Sequence, residues 1–148
     1  MGLFDKILGG QSSENVRFTP AEAFAGLVVA VVGADGHLAD DEVRAANAVF
    51  NRMRLFGPIP ADLFSVMIDR LTGYLKKHGS DWLLEKSIAA MPEELRETAF
   101  ATAVDLVFAD GSVEASEQAL VEKIQRALGV PDSLALKVVE VIAIKNCG

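Results

Sequence analysis

Apolar positions recur at intervals of three and four along nearly the whole chain, the spacing of one face of an α-helix, and no convincing strand pattern interrupts them. Thr19-Pro20 offers a cap with Pro in the first turn, and Phe24, Leu27, Val28, Val31 and Val32 predict a first helix from about residue 20 to 34. Asp41 and Glu42 lie where a helix start favours negative charge, and Val43, Ala46, Val49, Phe50 and Met53 continue a second stripe until Gly57-Pro58. A third helix is expected from about Pro60 to Lys77, with Leu63, Met67, Leu71, Tyr74 and Leu75 inward and Gly79 as its stop. Ser80 or Asp81 would cap a short fourth helix through Trp82, Leu83, Leu84 and Ile88. Met91-Pro92 opens a fifth that runs to Ala109, and a sixth spans Ala115 to Leu128. Gly129-Val130-Pro131 breaks the chain before a last helix carrying Leu134, Val138, Val141 and Ile142. The expectation is an all-α fold of about seven helices in a single domain.

Composition and charge narrow what such a fold can do. Residues 9–15, Gly-Gly-Gln-Ser-Ser-Glu-Asn, have linker composition, so residues 1–15 are read as an arm and linker and residues 16–148 as the helical domain. The arm carries Leu3, Phe4, Ile7 and Leu8, an amphipathic set suited to docking on this protein or on a partner. Across the 148 residues, 21 acidic against 14 basic side chains leave a net charge of -7, which repels phosphate backbones and argues against a nucleic-acid partner. The longest apolar stretch, Ala23 to Ala34, is too short to span a bilayer, so no direct membrane span is expected. With no apolar signal region at its start and Lys6 where a myristoylation signal wants Ser or Thr, the chain is expected in the cytoplasm.

The chemistry-bearing residues fall in a repeated unit. Residues 28–53 align with 103–128, placing Ala34-Asp35-Gly36 on Ala109-Asp110-Gly111 and Glu42 on Glu117, with Val31, Val32, Leu38, Val49 and Met53 on Leu106, Val107, Val113, Ile124 and Leu128. An internal pseudo-two-fold helix-turn-helix repeat is therefore expected. In each copy the glycine can take positive φ, the aliphatic residue two positions later turns into the core, and the glutamate enters the next helix's first turn. The spacing also matches the second half of an EF-hand loop. The first half is missing, because Val31 and Gly33 in one copy and Leu106 and Phe108 in the other stand where oxygen ligands belong. Capping is the simpler account, since charges at helix starts are commonplace. The alternative is a metal held by Asp35, Glu42, Asp110 and Glu117 if the turns converge, and an all-carboxylate set favours Ca²⁺ or Mg²⁺ over Zn²⁺.

Other candidates read as structural. His37 beside Asp35, Asp40 and Asp41 fits an exposed turn better than a zinc site, because the second copy has Ser112 in its place, and His78 has no clear partner in sequence. Cys147, the lone cysteine, stands next to the chain end, forms no redox pair and reads as inert. Trp82 and Tyr74 read as core. The usual catalytic signatures are absent.

On these residues the chain resembles the tellurite resistance protein TerB family. The likeness is carried by Leu3-Phe4-Asp5-Lys6, by Val28 to Gly36 with Glu42, by Val104 to Gly111 with Glu117, and by Ala127-Leu128-Gly129. The resemblance implies an all-helical pseudo-symmetric fold, an acidic surface binding divalent cations, and a non-catalytic part in a bacterial stress response resembling tellurite resistance. It also implies partners among stress-complex proteins, some membrane-associated, and a place peripheral to the inner membrane. Related domains in membrane-anchored DnaJ-type co-chaperones suggest the alternative of an interaction scaffold with no metal. Carried over, the site is Asp35, Glu42, Asp110 and Glu117. Ala39 and Glu114 depart from the family's Ser or Asp, which puts a capping box with the glutamate in doubt and predicts weaker or shifted caps. Asp105, where the first copy has Ala30, is a candidate extra ligand in the second. Reducing tellurite would need a redox pair or cofactor that one terminal cysteine does not supply.

Overall fold

A computed structural model describes residues 16–36, 38–109 and 113–147. Among them run seven α-helices: α1 (Pro20–Val32), α2 (Asp40–Arg52), α3 (Ala61–His78), α4 (Ser80–Ala89), α5 (Arg96–Val107), α6 (Ala115–Leu128) and α7 (Asp132–Lys145). A 3-10 turn, Glu93–Leu95, leads into α5, and the described residues contain no strand. The all-α single-domain expectation stands. The N-terminal arm, with Leu3, Phe4, Ile7 and Leu8, lies outside the described residues.

The twelve-residue apolar stretch becomes the axis of the fold. Every residue of α1 from Glu22 to Val32 is buried, and α1 packs against α2, α3, α4 and α5. A helix apolar on all sides needs neighbours on all sides, and the remaining helices supply them. Thr19 and Glu22 start α1 with a capping box: the Glu22 N–H donates to Thr19 Oγ1 at 3.2 Å and the Thr19 N–H donates to Glu22 Oε1 at 2.9 Å. The outer helices bury one stripe each, Met67, Leu71 and Leu75 from α3 and Val121, Ile124 and Leu128 from α6. At the other extreme α7 buries only Ala135 and packs on α5.

Several local expectations shift. The second helix ends at Arg52 instead of at Gly57, and a run of turns carries the chain to α3. The fifth starts at Arg96, after the 3-10 turn, and ends at Val107. Neither Ser80 nor Asp81 caps α4, whose N-cap is Gly79 with φ +91° and no side-chain bond. Leu63, expected inward, is 58% exposed, and Val141 of the last helix is 62% exposed, because no helix among the described residues packs closely over those faces of α3 and α7.

Glu22 also forms an ion pair with Arg70 of α3, which ties the buried start of α1 to the middle of α3. Its carboxylate side chain is 11% exposed whereas Arg70 is 50% exposed, so the two partners are not equivalent. Arg70→Leu leaves a nearly buried charge without its cation and is expected to cost about 2 kcal/mol, less than a fully buried pair because Arg70 is half in water. Glu22→Gln in the same background should recover part of that loss. Chemical denaturation of the single and double variants checks the order, and a double variant less stable than Arg70→Leu would refute it.

Candidate functional site

The first acidic turn is built from the end of α1 inward. Gly33 closes α1, its N–H donating to Val29 O at 2.9 Å, and it lies so close to α3 that an added Cβ would sit 2.6 Å from Leu75 Cδ2. The turn is thereby pinned to the core. Gly36 follows with φ +86°, and its N–H bonds back to Gly33 O at 2.9 Å, a reversal that a residue with a Cβ rarely adopts. Leu38 then packs against the core and α2 begins. Asp35 is exposed on this turn, while Glu42 is half-buried at the third position of α2, after exposed Asp40 and Asp41. Ala39, the N-cap, makes no side-chain bond. Negative charge in the first turn is what answers the unpaired N–H groups there.

The second turn shares part of this build. α5 ends at Val107, Val113 packs on the core as Leu38 does, and Glu117 is half-buried at the third position of α6. Asp110 and Gly111 lie outside the described residues, as does His37. Here the cap differs from α2: Glu114 is the N-cap, and its N–H donates to Glu117 Oε1 at 3.0 Å. Glu114 thus replaces the family's Ser or Asp while Glu117 keeps its half of the box. Among the described residues no three His, Cys, Asp or Glu side chains stand grouped as a metal-binding set.

Asp105, the candidate extra ligand of the second turn, is engaged by the end of α7. It accepts from Lys145 Nζ at 3.2 Å and Asn146 Nδ2 at 2.9 Å, which clasps the end of α7 onto α5. His78, for which sequence offered no partner, stacks on Trp82 at 4.2 Å between ring centroids, in a row with Tyr74 and Phe18, and Lys86 lies 5.7 Å from the Trp82 ring. Sequence reasoning also missed the Glu22–Arg70 pair, although Thr19-x-x-Glu22 before an apolar run is a readable capping signal. Elsewhere an open cleft of about 490 Å³ lies beside the α6–α7 turn. Arg96, at its wall, donates to Leu128 O at 3.2 Å and so caps α6.

Among the described residues, the titratable side chains of the two turns are carboxylates. Such a donor set fits hard divalent cations. Of the oxygens on Glu117, Oε1 accepts from the Glu114 N–H. No helix among the described residues is long and apolar enough to cross a membrane. No curated protein and no solved structure matches the chain. The family model described as tellurite resistance protein TerB does match, over residues 21–137. That span takes in α1 to α6, both acidic turns and the start of α7. Covering well over half of the sequence, it shows that this chain belongs to the TerB family.

Proposed function

We propose that this protein is a non-catalytic component of a stress response related to tellurite resistance, and that Asp35, Glu42, Asp110 and Glu117 bind a divalent cation, Ca²⁺ or Mg²⁺ ahead of Zn²⁺. The observation that carries this reading is the matched placement of Glu42 and Glu117. Both are half-buried at the third position of the helix that follows an acidic turn, and the helices leading into those turns, α1 and α5, pack on each other. Carboxylates gathered on such turns repel one another, and a divalent ion relieves that repulsion. The ion would act as an electrostatic tie between turns, with no part in bond making.

Ion binding to the folded state alone raises stability by mass action, by about 2.7 kcal/mol at 100 times the dissociation constant. Melting curves of metal-stripped protein in millimolar calcium, magnesium, manganese or zinc should show that gain. Glu42→Gln with Glu117→Gln should remove most of it, and Asp40→Asn should leave it. A second reading is favoured by the bond from the Glu114 N–H to Glu117, which gives that carboxylate a structural duty of its own. In it the acids are helix caps and the domain is a co-chaperone-like scaffold for membrane-associated stress proteins, with no metal. Melting temperatures indifferent to every ion would put this second reading first.

A further inference from the structure

We propose that the outer face of α7 docks against the same face of a second copy of this chain, with the two helices antiparallel. α7 is apolar nearly all round, since Lys137 and Glu140 are its only charged residues between Asp132 and Lys145. One side of it is used. Ala135 is buried there, and Leu134, Val138, Val139 and Ile142 are half-buried against the core. On the other side Leu136, Val141 and Ile144 are 60%, 62% and 77% exposed. α1, the other helix of this apolar character, is wrapped by α2, α3, α4 and α5, whereas α7 packs on α5. A helix apolar on both sides calls for cover on both.

The charges on that face select the partner. Wound at about 100° per residue, Leu136, Lys137, Glu140, Val141 and Ile144 fall within an arc of about 140°, opposite the inner stripe. Lys137 and Glu140 are both exposed, and neither forms an ion pair among the described residues. In an antiparallel pair whose two-fold axis crosses α7 midway between them, Lys137 of each copy lies level with Glu140 of the other. Ile144 then lies level with Ser133, a small exposed residue that leaves room for it. Leu136 and Val141 stand at the two edges of the strip and shield the ion pairs from water. A parallel pair would set Lys137 against Lys137 and Glu140 against Glu140, so the same charges fix the direction. A lipid surface would have to accept Glu140 from the middle of the face, on a chain of net charge -7. Helices about 21 Å long make a small interface, so the dimer is a weak one that forms at high-micromolar concentration.

The test uses the full chain, with sedimentation over a concentration series and pulsed dipolar spectroscopy of nitroxides on the exposed Cys147. The antiparallel register predicts labels roughly 25–35 Å apart in the dimer, since each stands about 13 Å from the two-fold axis along the helix. Lys137→Glu and Glu140→Lys each set like charges together, and each should weaken self-association at least about tenfold while leaving the melting temperature of dilute protein unchanged. Mixed in equal amounts, the two variants should pair with each other as well as the wild type pairs with itself, because Glu then meets Lys at both crossings. A monomer throughout the series would overturn the proposal, and so would labels side by side, which mark a parallel pair. Single variants that still dimerise would move the contact to another face, and variants that fail to pair on mixing would refute the register. Association seen only on lipid vesicles would assign the face to a membrane and overturn it as well.

Discussion

Phe56→Ala is expected to cost about 4 kcal/mol and to lower the melting temperature by roughly 10 °C. Phe56 belongs to no helix, yet it is 5% exposed at the corner where the chain passes from α2 to α3. Its ring meets three others edge to face: Phe50 of α2 at 5.0 Å, Phe64 of α3 at 5.8 Å and Phe24 of α1 at 6.3 Å between centroids. Truncation removes the transfer energy of a large ring and leaves a hole bounded by three helices that cannot all move inward together. It also forfeits the edge-to-face contacts, which add beyond buried area. Phe56→Leu refills most of the volume and should cost about 1 kcal/mol. Equal stability of the two variants in denaturant would mean that the corner relaxes freely and that the cluster does not hold α2 and α3 together.

The approach of α1 to α4 sets up the second large effect. At Gly26 an added Cβ would lie 2.2 Å from Ser87 Oγ and 3.5 Å from Leu71 Cδ2, far inside contact distance for the first. Gly26→Val should therefore force the helices apart at a cost of about 3 kcal/mol. The diagnostic comparison is gentler. Gly26→Ala gains helix propensity but meets the Ser87 hydroxyl, which is fully buried with no hydrogen-bond partner among the described residues. Ser87→Ala removes that hydroxyl at little cost, and the atom next nearest to the new methyl, Ser87 Cβ, is 3.4 Å away. The double variant should return to wild-type stability or exceed it, with a coupling of about 2 kcal/mol between the sites. Additive effects in a thermodynamic cycle would show that the clash lies elsewhere.

Both tests concern the packing on which the acidic turns depend. Gly33 pins the first turn to Leu75, and α1 carries that turn at its end, so a displaced α1 carries Asp35 with it. Variants at Phe56 and Gly26 therefore make useful companions to the ion titration, because they separate a loss of fold from a loss of carboxylates.

The sequence by itself determined the helices, most of their starts and stops, and the centrality of α1. These are local properties: a period of 3.6 residues, a Thr-Pro cap or a glycine stop acts within one or two turns and can be read along the chain. It also displayed the paired Asp-Gly and glutamate positions, since spacing alone puts Glu42 and Glu117 at helix starts. Only the tertiary structure decided which apolar stripe is covered. Leu63 and Met67 sit on one helix one turn apart, yet α3 buries Met67 and leaves Leu63 exposed, because cover comes from residues far away in the chain. The same holds for Phe56, drawn into the core from a turn, and for Asp105, which an apolar helix face made look like a ligand and which instead holds the end of α7. Burial and pairing are relations between distant segments, and no periodicity along one segment encodes its neighbour.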